Sequence, residues 1–142
     1  MLIVDTGPLV ALGDSDDRHH PACRELLETD TGPLVTTALV IAETGYLLNR
    51  KLGAAAEQAL LAMILDDSLH VEALTKADWA RASGLIGTYD DLNLGVTDAT
   101  LIALAERLKA TTIATLNHRD FRVVRPAHVD ALELVPVLGV TG

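Results

Sequence analysis

The sequence predicts an α/β fold, namely a three-layer α/β/α domain whose central sheet is mostly parallel and has four or five strands. Short apolar runs alternate along the chain with longer segments of helical periodicity, as crossover connections between parallel strands require. At 142 residues the chain can bury a single core. Residues 1–138 are therefore predicted to form one domain, and residues 139–142 a flexible tail.

Five segments are predicted as strands, because each is short, rich in apolar or β-branched residues, and flanked by turns or helical segments. They cover residues 2–4, 34–36, 70–72, 111–116 and 132–135. The turn-like run Asp30-Thr31-Gly32-Pro33 precedes the second of them. Together they account for the predicted sheet.

The segments between these strands carry apolar residues at helical spacing. Helices are predicted from Pro8 onward and over residues 21–28, 38–51, 54–66, 75–87 and 97–109. Thr75 and Thr97 each offer a capping oxygen at a helix start, and Gly53 stands where the third helix would stop. These helices are long enough to cover both faces of the sheet.

The net charge limits the kinds of partner to expect, and the lengths of the apolar runs bear on the cellular compartment. A net charge of -9 argues against a general electrostatic binder of nucleic acid, which would present a basic face. It leaves a nuclease open, because part of the negative charge can form a metal site. No apolar run approaches the length of a membrane span and no signal peptide is recognised, so a cytoplasmic protein without membrane contact is predicted.

Four acidic residues stand in apolar surroundings, where a carboxylate is costly unless its charge is compensated. Asp5 directly follows the first strand, and Asp120 comes a few residues after the fourth. Glu43 lies among apolar neighbours on its helix, and Asp98 heads the core-facing ridge of the 97–109 helix. Because sites in parallel sheets form beyond the carboxyl ends of the strands, we expect all four to meet there.

Each acid also has a structural explanation of its own. Asp5 can cap a helix, Asp98 can be an N-cap or a first-turn acid favoured by the helix dipole, and Asp120 can be a solvated loop charge. Glu43 can form a buried ion pair with Arg50. If the four do converge, an all-oxygen set of ligands selects Mg²⁺ or Mn²⁺ over zinc.

Four segments of the chain carry a resemblance to a known family. They are LIVDTGPLV at 2–10, VIAETGYL at 40–47, LGVTDA at 94–99 and ATLNHRDF at 114–121. In this order and spacing they resemble the PIN-domain ribonucleases, specifically the VapC-type toxins of bacterial toxin–antitoxin pairs. The resemblance implies a PIN-like α/β/α fold, a Mg²⁺ or Mn²⁺ site, and endonucleolytic cleavage of RNA.

The resemblance also implies roles for particular residues. Asp5, Glu43 and Asp98 take the three most constant acidic positions as metal and catalytic residues, and Asp120 takes the fourth, variable one. Asn117 is a polar neighbour where some relatives have an acid. The supporting residues Thr6 and Asp91 complete the predicted set, Thr6 as a hydrogen-bond donor to a ligand carboxylate or to phosphate and Asp91 as an accessory acid.

Partners follow from the same reading. The range of RNA substrates is expected to be narrow, for example a single tRNA or rRNA loop. The residues predicted to contact its phosphates are Arg50, Lys51, Arg119, Arg122 and Arg125. The resemblance implies a cognate antitoxin and a homodimer, and the apolar helices at 38–48 and 54–65 exceed what one sheet face needs. The alternative function is a catalytically silent PIN-like module that binds RNA or protein.

Overall fold

The computed structural model describes residues 1–138, and in this part of the chain a five-stranded sheet has the order β3-β2-β1-β4-β5. Every neighbouring pair of strands is parallel. The strands are β1 (Leu2–Val4), β2 (Leu34–Thr36), β3 (His70–Val71), β4 (Thr112–Ala114) and β5 (Glu133–Val135). The predicted α/β class with a parallel central sheet is confirmed.

Seven α-helices connect and cover the strands within residues 1–138. They are α1 (Thr6–Gly13), α2 (His20–Thr29), α3 (Ala38–Leu52), α4 (Ala54–Leu65), α5 (Lys76–Thr88), α6 (Val96–Leu108) and α7 (His118–Val123). Helices α1 to α4 contact one another, while α5 packs on α6. The two groups of helices and the sheet form the three-layer α/β/α arrangement.

The core lies on both faces of the central strand β1. All three residues of β1 are buried, because a parallel strand covered by helices on both sides has no solvent-facing side. Helix α6 is buried all round over Ala99–Glu106, so it behaves as a core helix and not as a surface one. Its burial fixes the position of Asp98, which stands in its first turn.

Two ion pairs fasten α6 to α5. The buried carboxylate of Glu106 accepts hydrogen bonds from Nε and a terminal nitrogen of Arg81 at 2.7 and 3.0 Å. Nε of Arg107, the next residue of α6, lies 3.0 Å from Oδ2 of the buried Asp78. The Arg81 pair is bidentate, a geometry that restricts the rotation of both side chains.

The chain departs from prediction around the fourth strand and at the start of α6. The strand ends at Ala114 because Thr115 accepts the backbone N–H of Asn117 at 3.0 Å and so turns the chain. Helix α7 follows, where no helix was predicted.

Helix α6 begins at Val96 with Gly95 at its N-cap, so the capping role predicted for Thr97 is wrong. The predicted tail at 139–142 lies outside the described residues.

The helices are also too short or too polar for a bilayer. Among residues 1–138, none combines the length and apolar character needed to cross a membrane.

Candidate active site

The site is built where β1 and β4 end side by side. The backbone N–H of Asp5 donates to the carbonyl of Ala114 at 2.9 Å, so the strand pairing continues into the first residue of the site. Gly7 then lets α1 approach the loop after β4. A Cβ placed on Gly7 would lie only 3.2 Å from the Cβ of Leu116, so a larger residue would push the two segments apart.

Asp5 is buried and held at both oxygens. Its Oδ1 accepts the backbone N–H of Thr6 at 2.7 Å, and its Oδ2 accepts the hydroxyl of Thr115 at 2.8 Å. Asp5 therefore does cap α1, as the structural explanation held, and it lines an open cleft at the same time. Burial raises the pKa of Asp5 above its ordinary value, the two hydrogen bonds oppose that shift, and the charge of Glu43 adds to it.

Asp98 is the most strongly perturbed acid of the site. Burial is the largest cause, and the negative charges of Asp5, Glu43 and Asp120 add to it, so that the pKa of Asp98 rises to about 7. All four predicted acids therefore influence one titration. The crowding is of the kind that a bound cation would relieve.

Glu43 reaches the cleft from the exposed side of α3. The helix buries Val40, Thr44 and Leu48, whose stripe meets the core. The prediction that Glu43 sits in a buried apolar stripe is therefore wrong, because the stripe it shares with Tyr46 and Leu47 faces outward. Within residues 1–138 no ion pair joins it to Arg50, so the ion-pair explanation is not supported.

Asn117 lies between Asp98 and Asp120. Its Nδ2 donates to Oδ2 of Asp120 at 3.1 Å and lies 3.5 Å from Oδ2 of Asp98, which is a long contact. Asp120 stands in the first turn of α7. The unpredicted helix α7 is thus the element that brings Asp120 towards Asp98.

Thr115 is a site residue that sequence reasoning missed. It is fully buried, donates to Asp5 and accepts from the backbone of Asn117, so it links the acid after β1 to the amide after β4. The available signal was a threonine directly after a β-branched strand and two residues before Asn117. A threonine in such a place is common, and its partner is 110 residues away in sequence.

The acids open into a cleft of about 520 Å³. Its walls come from α1, α3, α6 and the loops after α1 and β4, and its residues are Asp5, Thr6, Gly7, Val10, Asp17, Glu43, Leu47, Asp98, Leu116 and Asn117. Asp17 was not predicted, since it stands in a loop with no apolar context. Thr6 is predicted and present, and its buried Oγ1 has no hydrogen-bond partner in the described chain.

The donor atoms of the cleft suit a hard cation, although their side chains are not arranged as a preformed metal site. Across residues 1–138 no three His, Cys, Asp or Glu side chains form a cluster that could hold a metal ion. The available donors are nevertheless all oxygens, the pKa values of Asp5 and Asp98 are raised, and Thr6 has an unused buried oxygen. Carboxylates that repel one another are expected to stand apart until an ion offsets their charge.

Asp120 and the remaining predicted residues are not among those that line the cleft. Asp91 is exposed on a 3₁₀ turn, Asp90–Leu92. Lys51 Nζ is bound to Asp14 at 2.6 Å, and Arg125 donates to the carbonyl of Arg122 at 2.7 Å. Arg50, Arg119 and Arg122 are exposed and, in the part of the chain that is described, take part in no ion pair.

Fold and cleft together define an α/β/α domain with acidic side chains at the carboxyl edge of its central strands. Residues 2–126 match the family described as the PIN domain, and the chain belongs to that family. The resemblance to PIN-domain VapC toxins seen in the sequence is thereby confirmed.

Two curated relatives come from Mycobacterium tuberculosis. The chain is 30% identical over 135 residues to Ribonuclease VapC26, covering 95% of this chain and all of the relative. It is 30% identical over 107 residues to the 23S rRNA-specific endonuclease VapC20, covering 75% of this chain and 82% of the relative.

Solved structures show the same fold. The crystal structure of Mycobacterium tuberculosis VapC20, described as a Sarcin-Ricin loop cleaving toxin, superposes with a TM-score of 0.75 at 27% identity and covers 80% of this chain and 87% of that one. A toxin–antitoxin complex from Klebsiella pneumoniae gives a TM-score of 0.68 at 20% identity over 96% of this chain and 97% of that one. At that identity the second likeness concerns the fold alone.

Replacing Thr115 with valine is expected to reduce activity without unfolding the protein. Valine keeps the shape but removes the hydroxyl that holds Asp5 and Asn117. Loss of such an orienting partner typically costs about 10–100-fold in metal affinity or activity. Cleavage rates and Mn²⁺ titrations of Thr115→Val and the matched Thr115→Ser check this, and a Thr115→Ser variant as impaired as valine would contradict it.

Proposed function

We propose that this protein is a metal-dependent endoribonuclease that acts as the toxin of a toxin–antitoxin pair. The observation that carries the proposal is that Asp5, Glu43 and Asp98 line one open cleft, while Asp120 accepts a hydrogen bond from Asn117, which lines the same cleft. Membership of the PIN-domain family and the ribonuclease names of the relatives support it. Hydrolysis of a phosphodiester bond is the chemistry such a cleft suits.

Mg²⁺ or Mn²⁺ would be held by Asp5 and Asp98, with Glu43 and Asp120 as direct or water-bridged ligands. When bound, the ion supplies a water of lowered pKa and offsets charge on the scissile phosphate. The chain supplies orientation: Thr6 N–H and the Thr115 hydroxyl fix both oxygens of Asp5. The exposed carboxylate of Glu43 is placed to accept a proton from the attacking water.

The proposed substrate is a structured RNA, either rRNA or tRNA. The name of VapC20 points to 23S rRNA for that relative, and we extend only the class of substrate to this chain. The proposed place of action is the cytoplasm, where such RNA occurs.

A catalytically silent module that binds RNA or protein is the second candidate function. It is favoured by the lack of a preformed three-acid cluster among residues 1–138.

The proposed partners are an antitoxin and a second copy of the chain. The fold is shared with the toxin–antitoxin complex from Klebsiella pneumoniae, and an acidic cleft suits a basic side chain from a partner tail. Helix α4 is strongly apolar yet buries only Leu60, while Leu61 and Leu65 are exposed. Such a helix is a reasonable homodimer surface.

Purified protein is expected to cleave total RNA with Mg²⁺ or Mn²⁺ and to lose that activity in EDTA. Asp5→Asn should lower the rate by more than about 100-fold, because even residues that only orient a ligand cost about 10–100-fold. Glu25→Gln, which neutralises an exposed acid of α2, serves as the control. Equal cleavage by wild type and Asp5→Asn would exclude this cleft as the nuclease site and favour the silent module.

A further inference from the structure

We propose that the outward face of α3 beside the cleft binds a single-stranded stretch of RNA, with an unpaired base stacked on Tyr46 and a phosphate on Arg50. Tyr46, Leu47 and Arg50 together are called the α3 track below. This inference rests on the proposed function, since it takes RNA as the ligand of the cleft. It adds which part of the RNA is recognised, and by which side chains.

The helical repeat aligns the α3 track with the cleft. Residues three, four and seven positions apart share one face of an α-helix, so Tyr46, Leu47 and Arg50 all lie on the side of Glu43. Glu43 and Leu47 both line the cleft. With a rise of about 1.5 Å per residue, the Cα of Arg50 lies about 10 Å further along the helix axis than the Cα of Glu43. The α3 track therefore runs along the helix from Glu43, at the cleft, towards Arg50.

Tyr46 is available as a stacking surface. Its side chain is 62% exposed, while the core contacts of α3 are made by residues of the opposite face. Aromatic residues make up only 3% of the chain, and Phe121 is buried in the core. The other strongly exposed ring, Trp79, lines a separate groove with Val71 and Leu74. An exposed ring next to the cleft therefore has no evident role in packing, and base–aromatic stacking is a role it fits.

The charge next to Tyr46 favours a polyanion. Arg50 is exposed and, within residues 1–138, has no acidic partner, whereas the adjacent Lys51 is bound to Asp14. An uncompensated cation about two helical turns from Glu43 attracts the phosphates that the acidic cleft itself repels. An apolar protein surface lying across this face would also desolvate Glu43 without pairing it, which is costly for a carboxylate. An RNA strand whose phosphate lies on Arg50 leaves that carboxylate in contact with water.

The test measures RNA binding directly and in EDTA, so that no cleavage is needed. The probe is a fluorescein-labelled single-stranded RNA of about 12 nucleotides and mixed sequence, a length in the range that single-strand sites occupy. Fluorescence anisotropy is compared for wild type, Tyr46→Ala, Tyr46→Phe and Arg50→Gln. The controls are Val137→Ala and Lys76→Gln, which shorten an exposed apolar side chain and remove an exposed cation elsewhere.

Tyr46→Ala is expected to weaken binding by about 5- to 100-fold, as loss of one stacked base implies, while Tyr46→Phe stays within about twofold of wild type. Arg50→Gln should weaken binding of any sequence and reduce the salt slope by about 1. A fully paired duplex of the same sequence should bind more weakly than the single strand and should be insensitive to Tyr46→Ala.

Several outcomes would overturn the α3 track. Wild type that binds no RNA at low salt would do so, as would Tyr46→Ala with wild-type affinity. Tyr46→Ala that changes only self-association in sedimentation would assign this face to a second copy. The proposed function fails separately: if Asp5→Asn cleaves like wild type while Tyr46→Ala loses RNA binding, the track stands and the nuclease site does not.

Discussion

Replacing Asp98 with asparagine is expected to reduce RNA cleavage by more than about 100-fold and, at the same time, to stabilise the metal-free protein. The carboxylate is a predicted metal ligand, so its loss removes activity. The same carboxylate is disfavoured in the fold by burial and by the charges of Asp5, Glu43 and Asp120. Asparagine keeps the size of the side chain and removes the charge that the fold disfavours.

The gain in stability should depend on pH. The pKa of Asp98 is about 7 in the folded protein, above that of an unfolded aspartate. The unfolded chain therefore loses the proton first, and wild type loses stability as the pH rises from about 4 to about 7. Asp98→Asn avoids that loss, so the variant should be more stable by about 2 kcal/mol at pH 8, allowing for solvent screening, and equal to wild type near pH 4.

Thermal unfolding in EDTA at both pH values checks the stability, and cleavage with Mn²⁺ checks the activity. A difference of this size corresponds to several degrees in midpoint for a chain of this length. Asp130→Asn, which neutralises an exposed acid in the loop before β5, is the matched control and should change neither quantity. A variant that is less stable than wild type at pH 8, or that still cleaves RNA, would contradict the role assigned to Asp98.

The parts of the fold that could be predicted are those set by local pattern. Strands β1 and β2 have the predicted bounds, because each is a continuous apolar run stopped by polar or turn residues. The end of β4 could not be found in this way. The run of apolar and β-branched residues continues through Thr115, but the hydroxyl of Thr115 binds Asp5 and the backbone of Asn117, the chain turns, and α7 follows. Such long-range bonds leave no periodicity in the sequence.

The site shows the same division. Asp5 was recognisable because its position follows from the strand before it, and parallel strands bring their carboxyl ends to one edge. Glu43 was assigned to the site from apolar neighbours, which indicated burial, yet Glu43 itself is exposed and, of those neighbours, only Val40 is buried. A helical stripe shows that residues share a face and does not show which side of the helix meets the core. The metal roles came from the family resemblance, and Asp17 carried no signal in either reading.

Mn²⁺ is expected to stabilise the protein strongly at pH 8 and hardly at all at pH 5.5. The ligands must be deprotonated to bind, and a pKa of about 7 at Asp98 means that protons compete with the metal below neutrality. The pKa of Asp5 is raised as well, which widens that range. Apparent affinity should therefore fall by about tenfold for each pH unit below 7 for each proton displaced.

The measurement is the shift of the unfolding midpoint on adding Mn²⁺, followed by its reversal with excess EDTA. At a concentration of about 100 times the dissociation constant, binding to the folded state alone stabilises it by about 2.7 kcal/mol. Asp98→Asn should remove the shift at pH 8, while Glu25→Gln should preserve it. A shift that is the same at pH 5.5 and pH 8 would mean that Mn²⁺ binds elsewhere, because carboxylates of ordinary pKa would already be ionised at both values.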